Sequence, residues 1–498
     1  MKIITMHHIL GNKVLEYDVD DRGVIVDERE YDRTVNPKPN IADWVKEHMV
    51  FWYDMSKPVD TYSQNFNDWR PHPSVNADII ITSTSFVITR FATLNDTVKC
   101  YIPDQTKNFP GMKVEVKGIV DGQELYWGYS ADVKLVNITS DGTYDIPPLG
   151  TVKGDLSFRN GNIAGACNIT ITQLPSGQSV PTNEILKANP YLQDHSGNNR
   201  PLKLNNFLFA AMSGVGGYEY NWLDNSVFKF FIPERASGTY TDKSFHIQQV
   251  NARANIVETK VATKSIGYKI KVSGLTSNEF VRYSIKLDGS TQDFDIKVDG
   301  EYELPSSDYE ALYNMGYSIR AVSGVYPHTC NITVEQIPLY PNALVTDGVD
   351  DYGQVQNLQQ GVKVLFVTIN PFIDGKFIYD QRLNNIKPWL FAVYNNKGSI
   401  AYNSRNSNGK TYIDGTLNES TIVSALLNKK QIITIVNNDV TGDKTKTPVF
   451  FSNTDHNNGW ISSAFYNSIG FDSVPTKQND GFTEQDLIDY VLENLITK

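Results

Sequence analysis

An internal repeat constrains the fold of this chain more than any other feature of its sequence. Three blocks occur twice in the same order: GMKVEVKGI (111–119) with GYKIKVSGL (267–275), SDGTYDIPP (140–148) with VDGEYELPS (298–306), and GACNITITQLP (165–175) with HTCNITVEQIP (328–338). The offset between the copies rises from 156 to 158 to 163 residues, as short loop insertions would produce. Three matched blocks in one order indicate a duplicated structural unit.

Each copy, 77–177 and 240–340, is a series of short alternating strands separated by Gly, Asp, Asn and Pro turns. This pattern is typical of an immunoglobulin-like β-sandwich. The Cys-Asn-Ile-Thr strand recurs because its alternation places Cys and Ile on the buried face and Asn and Thr on the other. Cys167 and Cys330 are therefore predicted to be matched core positions rather than metal ligands.

Charge, length and cysteine spacing exclude several classes of protein. The 498 residues suggest three or four domains, and their net charge of −11 without a Lys/Arg cluster argues against nucleic acid as a partner. The three distant cysteines, Cys100, Cys167 and Cys330, indicate neither a disulfide framework nor a zinc site, and favour a reducing compartment. No segment approaches ~18 uninterrupted apolar residues, and the N-terminus lacks the pattern of a secretory signal, so no membrane partner is expected.

The two ends of the chain carry distinct signals. Residues 1–45 comprise alternating strand segments, a Pro-rich connector (TVNPKPN) and the start of a short amphipathic helix (IADWVKEHMV). They predict an arm that docks on another molecule, with an extra strand on the chain's own first domain as the alternative. Near the other end, Thr483 and Asp486 predict the start of a helix. Its apolar stripe should pack on a sheet and consists of Leu487, Ile488, Val491, Leu492, Leu495 and Ile496.

The segments outside the repeats, 46–76, 178–239 and 341–498, share an ordered set of motifs: FWYDMS (51–56), NPYLQDHSGNN (189–199), LVTDGVDDYGQV (344–355), FIYDQR (377–382), NGKTYIDGTLN (408–418) and YNSIGF (466–471). Together they resemble a laminin-G-like (concanavalin-type) jelly roll. The predicted fold is therefore all-β: a discontinuous LamG-like jelly roll with two repeated Ig-like insertions, an N-terminal arm and a C-terminal helix.

The Asp-Gly-Val-Asp-Asp stretch at 347–351 has two interpretations. As a bend into a strand, Asp347 and Asp350 accept backbone hydrogen bonds, Gly348 adopts an unusual backbone angle and Tyr352 begins the strand. As a metal site, Asp347, Asp350 and Asp351 would bind calcium, which prefers oxygen ligands at loop spacing. Related folds often bind calcium.

No set of catalytic residues emerges from the sequence, so an enzyme is not expected. The glycanases with this fold carry a Glu-x-Asp-x-Glu strand, which is absent here. Binding of a sugar by aromatic stacking and amide hydrogen bonds remains open. Composition makes five residues candidates for a glycan site: Asn198, Asn199, Trp222, Asn408 and Tyr412.

The jelly roll with its Asp-x-Ser-Gly-Asn motif and closing helix, together with the N-terminal arm, resembles virion proteins of crAss-like bacteriophages, in particular head fibre and auxiliary capsid proteins. The resemblance implies a structural protein assembled into the virion in the host cytoplasm. It would bind phage capsid proteins through the arm, form a homodimer or trimer, and contact host-surface or mucosal glycans. A tail-associated adsorption protein and a bacterial non-catalytic carbohydrate-binding protein are the alternatives.

Overall fold

The structure is a computed structural model in which almost all regular elements are strands. The chain comprises two compact units. One consists of residues 1–54, 194–202 and 353–498, and the other consists of residues 55–193 and 203–352. The described residues are 4–10, 13–19, 25–32, 41–63, 66, 70–71, 78–82, 84–91, 97–99, 108–109, 111–130, 133–151, 157–163, 165–262, 264–265, 267–307, 315–358, 361–372, 376–380, 390–394, 399–402, 409–418, 422–424, 428–436, 448–452 and 460–496.

The N-terminal segment forms a small sheet, a helix and two further strands. These elements are β1 (Ile4–Leu10), β2 (Lys13–Val19), β3 (Ile25–Asp32), α1 (Ile41–His48), β4 (Met49–Asp54) and β5 (Val59–Thr61). Strands β1, β2 and β3 form an antiparallel sheet in that order, and in the described structure they pair with no other strand. Helix α1 buries Trp44 and Val45, as its amphipathic sequence predicts.

The first sandwich comprises the first repeat together with residues 70–71 and has two five-stranded sheets. Its strands are β6 (Arg70–Pro71), β7 (Asp78–Ile81), β8 (Ser85–Phe91), β9 (Thr97–Lys99), β10 (Asn108–Phe109), β11 (Met112–Lys117), β12 (Leu125–Ser130), β13 (Val133–Ile138), β14 (Gly142–Ile146), β15 (Leu149–Thr151), β16 (Ser157–Asn160) and β17 (Gly165–Leu174). The sheets have the orders β14-β11-β17-β8-β7 and β13-β12-β16-β9-β6, and β10 pairs with β15.

Short elements link the repeats: β18 (Gly177–Ser179), α2 (Asn183–Ala188), β19 (Tyr191–Leu192), β20 (Leu202–Asn205) and β21 (Gly214–Val215). The second sandwich comprises the second repeat together with residues 228–239, and contains β22 (Phe228–Phe230), β23 (Ala236–Tyr240), β24 (Ser244–Val250), β25 (Val257–Thr259), β26 (Tyr268–Ser273), β27 (Glu279–Leu287), β28 (Ser290–Ile296), β29 (Gly300–Leu304), β30 (Met315–Ala321) and β31 (His328–Ile337).

The two repeats have the same strand order. The second repeat's sheets, β23-β24-β31-β26-β29 and β22-β25-β30-β27-β28, match those of the first strand for strand. Cys167 and Cys330 occupy matched positions against the two cores, as predicted, and each thiol lies 3.5 Å from a backbone carbonyl oxygen of the neighbouring strand. Large buried rings also correspond, because Trp127 and Tyr283 lie at the same point of paired strands.

Alternation explains why these segments are strands with one buried face. In β11 and β26 every second side chain is buried and the others are exposed or half-buried. The buried set of each repeat, which includes Phe86, Trp127 and Phe158 in the first and Phe245, Tyr283 and Tyr317 in the second, comes from both sheets. Each fully buried large side chain contributes ~2 kcal/mol relative to exposure. The architecture is therefore that of a sandwich.

The remaining strands are β32 (Leu344–Asp347), β33 (Tyr352–Val355), β34 (Val364–Pro371), β35 (Lys376–Asp380), β36 (Leu390–Tyr394), β37 (Ser399–Tyr402), β38 (Lys410–Ile413), β39 (Thr416–Asn418), β40 (Ile422–Ser424), β41 (Gln431–Val436), β42 (Val449–Phe450) and β43 (Ser462–Phe471). One sheet runs β43-β34-β41-β38-β39, with β4 pairing β43, and another runs β33-β42-β35-β36-β37-β40. The rings of Phe51, Tyr53, Phe450 and Phe465 pack together between the two sheets.

The chain ends with α3 (Glu484–Asn494), and its predicted start and packing face are confirmed. Thr483 and Asp486 form a capping box, in which each side chain bonds the other residue's backbone N–H. The stripe packs with α1 on the sheet of β34 and β41, where Leu487, Ile488 and Val491 are fully buried. All eight residues of β34 are consequently buried, since its sheet is covered on both faces. The fold is all-β with a C-terminal helix, as predicted.

Candidate functional site

The acidic loop between β32 and β33 is the candidate site that the structure brings together. Gly348 has a φ of +78°, and the backbone N–H of Val349 donates to Asp347 Oδ1 at 2.8 Å. Tyr352 begins β33. These features confirm the predicted bend and the role of Asp347 as a backbone acceptor.

Asp351 is the buried centre of this loop and accepts a backbone hydrogen bond, whereas the sequence interpretation named Asp347 and Asp350 as the backbone acceptors. Its side chain is 0% exposed. Oδ1 accepts a hydrogen bond from Ser213 Oγ at 2.9 Å, and Oδ2 accepts one from the backbone N–H of Asp347 at 3.0 Å. Ser213 in turn accepts from the backbone N–H of Leu208 at 2.9 Å. Asp351 therefore joins the 206–213 loop to the acidic loop.

Burial raises the pKa of the Asp351 carboxyl to about 7, and the negative charges of Asp347 and Asp350 act in the same direction. The two hydrogen bonds from Asp347 N–H and Ser213 oppose that rise. Desolvation dominates because the carboxylate loses its hydration in the interior. Asp351 can thus hold a proton near neutral pH.

The same three carboxylates could hold a cation. One oxygen each of Asp347, Asp350 and Asp351 lies within 4.8 Å of the others. Carboxylate oxygens at this spacing suit a hard ion such as Ca²⁺, which would also offset the repulsion that raises the pKa of Asp351. The arrangement therefore fits the predicted calcium site, and calcium binding stays a prediction.

Asn198 lies in the DHSGNN turn (194–199), and its side chain bonds to the backbone of β4. Its Nδ2 donates to the backbone oxygen of Met49 at 2.7 Å. In the same turn, Asp194 accepts from the backbone N–H groups of Trp52 and Ser196 at 2.9 Å each and of Arg200 at 3.0 Å. These bonds fasten the turn to β4. The side-chain amide of Asn198 therefore has a structural role. Asp194, which accepts three backbone hydrogen bonds in the turn, was not among the residues predicted from the sequence.

The other glycan candidates do not assemble into a site. Trp222 is 1% exposed inside the second sandwich and Tyr412 is 3% exposed under α3, where its hydroxyl donates to Glu484. Neither ring offers a face to a sugar, because protein atoms cover both. Asn199 is exposed with a φ of +54°, and Asn408, like Cys100, lies outside the described residues. Because both rings are buried, the prediction that Trp222 and Tyr412 bind a glycan is wrong.

The role of Asp194 could have been predicted from the Asp-x-Ser spacing. An Asp side chain in a turn often accepts a hydrogen bond from the backbone N–H two residues later in the chain. No comparable signal marks Ser213, which lies 138 residues before Asp351. Among the described residues, no helix has the length and apolar character needed to cross a membrane.

Comparisons with known proteins do not identify a family for this chain. No protein-family model and no curated protein matches the chain. Among solved structures it is similar to a single-residue variant of oxalate decarboxylase from B. subtilis, with 8% sequence identity, 58% of this chain and 77% of that chain covered, and a TM-score of 0.13. A similarity at this score carries no argument about fold or activity.

Proposed function

We propose that the chain is a non-enzymatic structural protein of a bacteriophage virion, which decorates the capsid or forms a short head fibre. In this proposal it is assembled in the host cytoplasm, binds capsid proteins through residues 1–45 and forms a homodimer or trimer. The sandwiches are displayed outward and contact host or mucosal glycans. The resemblance of the jelly-roll motifs and the arm to crAss-like head fibre and auxiliary capsid proteins motivates it.

The N-terminal sheet is the observation that carries the proposal. Strands β1, β2 and β3 bond only to one another among the described strands. A single layer of three strands gains stability when another surface covers one of its faces. The sequences of β1 and β2, ITMHHIL and KVLEYDV, supply alternating apolar residues for such a face. A capsid protein is the proposed covering surface.

The duplicated sandwich supports a role in display. Two copies with one strand order give a repeated rigid scaffold whose loops can vary independently. The net charge of −11 favours solubility of such a surface and disfavours binding to nucleic acid.

Deletion of residues 1–40 tests the arm. The shortened chain should fold but be absent from purified particles, whereas the full chain carrying Lys269→Gln, a change of one exposed charge on β26, should be incorporated normally. Quantitative mass spectrometry of particles, together with thermal melting of both proteins, measures this. Equal incorporation of the deletion variant would contradict the proposed attachment.

A further inference from the structure

The first sandwich has an open sheet edge at β7. This strand, Asp-Ile-Ile-Ile, is the last in the order β14-β11-β17-β8-β7, and no described strand pairs with its other side. An edge strand presents unpaired backbone N–H and C=O groups, to which another strand can bond. The backbone of β7 is therefore a surface that fits a further strand.

One hydrogen bond fixes which backbone groups of β7 point outward. The backbone N–H of Thr82 donates to the carbonyl oxygen of Ser85 at 2.8 Å, at the end of the β7–β8 ladder. Bonded and non-bonded pairs alternate along an antiparallel ladder, so Ile80 also bonds to β8. The N–H and C=O groups of Ile79 and Ile81 consequently point away from β8, to the open edge.

The side chains of β7 are apolar on both faces of the sheet. Ile79 and Ile81 pack against the core of the first sandwich. Ile80 lies on the other face and is 64% exposed, beside the half-buried Val87 of β8. A strand added at this edge would cover Ile80 and satisfy the outward backbone groups together.

The other outer strands of the two sandwiches carry residues that oppose such pairing. Charged side chains, Pro and irregular Gly positions are the usual protection of a sheet edge. In the described strands these are Asp145 in β14, Lys134 in β13, Arg70 and Pro71 in β6, Gly238 at the register shift of β23, Glu301 and Glu303 in β29, Lys229 in β22, and Asp293 and Asp295 in β28. Strand β7 has only Asp78, at its first position.

We propose that β7 pairs antiparallel with β7 of a second copy of this chain, across a two-fold axis at Ile80. The inference rests on the homodimer or trimer in the proposed function; it selects the dimer and names its contact. Ile80 faces the partner's Ile80 in a non-bonded pair, where side chains approach most closely. Ile79 and Ile81 exchange backbone hydrogen bonds with the partner's Ile81 and the partner's Ile79.

The sequence of β7 is complementary to itself in this register. Apolar residues meet apolar residues at all three isoleucine positions, and Asp78 lies opposite the partner's Thr82, so no like charges face each other. A single two-fold axis closes such a contact, because both copies use the same surface. The five-stranded sheets of the two copies then form one continuous sheet.

The contact is short, so the dimer should dissociate on dilution. Analytical ultracentrifugation of the full chain from about 1 μM to about 100 μM should show a shift from monomer to dimer. Ile80→Lys should raise the dissociation constant about tenfold or more, because both copies lose an apolar contact and gain a charge at the edge. Val120→Lys is the matched control, since Val120 is 63% exposed elsewhere on the same sandwich, and it should leave the dimer unchanged.

Ile80→Cys tests the register. The axis brings residue 80 beside its own copy at a Cα separation of about 4.5 Å, which a disulfide can span. Mild oxidation should therefore link the variant through residue 80, as identified by mass spectrometry of the joined peptides, whereas Val120→Cys should form no such link.

A wild-type chain that stays monomeric at every concentration overturns the inference, as does a dimer that Ile80→Lys leaves intact. Absence of the residue 80 link in a chain that dimerises overturns the register. If the chain stays monomeric and Ile80→Lys loses a capsid protein, the edge binds a partner's strand and not a second copy. Since particle incorporation of the arm deletion is measured separately, failure here is distinguishable from failure of the virion proposal.

Discussion

At the scale of single residues, the carboxyl of Asp351 should make folding depend on pH. Its pKa is about 7 in the folded chain against an ordinary value of 3.8. The folded state therefore keeps a proton that the unfolded state releases between about pH 4 and pH 7. Consequently the free energy of unfolding should fall as pH rises through this window and should not change further above it. At 1.36 kcal/mol per pKa unit, the total fall is up to ~4 kcal/mol.

Urea unfolding from pH 4 to pH 8 measures this for the wild type and Asp351→Asn. The variant should lack this contribution, so the stability difference between the two proteins should change across the window. Asp350→Asn, which alters the exposed neighbour, should retain most of the wild-type slope. Parallel curves for the wild type and Asp351→Asn would rule out titration of Asp351 in this range.

Gly274 shows a second residue-scale constraint, one shared by both repeats. A Cβ added there would lie 1.9 Å from the backbone oxygen of Asn331, and one added at Gly118 would lie 2.0 Å from that of Asn168. Gly122 has a similar positive φ, +81°, but nothing within 4 Å of an added Cβ. Gly122→Ala should thus cost only ~1 kcal/mol of backbone strain, whereas Gly274→Ala should cost at least about 3 kcal/mol.

Thermal melting of the two glycine variants compares these costs. A large fall for Gly274→Ala beside a small one for Gly122→Ala would support the close backbone approach, and equal falls would show that backbone angle alone matters.

The sequence allowed part of the acidic loop to be predicted at this scale. Asp347, Gly348 and Tyr352 follow local turn chemistry, which a short window contains. The buried role of Asp351 depends on Ser213, which the fold brings from a distant segment.

At the scale of elements, α3 provides a test of packing. Leu487 is 0% exposed against the sheet, whereas Glu493 on the same helix is exposed. Leu487→Ala should destabilise the unit by ~2–5 kcal/mol, and Thr483→Ala, which breaks the capping box, by ~1 kcal/mol. Glu493→Ala should change stability by less than about 0.5 kcal/mol.

Tryptophan fluorescence during urea unfolding suits this comparison, because Trp44 contacts Phe482 just before α3 with ring centroids 5.6 Å apart. If Leu487→Ala and Glu493→Ala unfolded at the same urea concentration, the packing of α3 on the sheet would be contradicted.

Elements with a strong local signal were predictable. The Asp414-Gly415 turn forms the expected hairpin of β38 and β39, with positive φ at both residues. The pairing of strands that are distant in sequence could not be predicted. Strands β4 and β43, for example, pair although they lie more than 400 residues apart in the chain. Two-residue strands such as β6 carry too little pattern to be seen in a sequence.

At the scale of the whole molecule, the repeat was the most informative feature of the sequence. The three matched blocks fall on β11 and β26, β14 and β29, and β17 and β31, which occupy equivalent places in their sheets. Duplication was therefore readable from sequence because buried alternation and turn residues persist in both copies. A partner leaves no such pattern, so attachment to a virion stays a prediction.

Electron cryo-microscopy of intact phage particles labelled with an antibody against this chain tests that central claim most directly. The account predicts label on the surface of the head. Label confined to the tail would favour an adsorption protein over capsid decoration. Particles free of label, beside unassembled chain that binds polysaccharide, would contradict the virion assignment and favour a bacterial carbohydrate-binding protein.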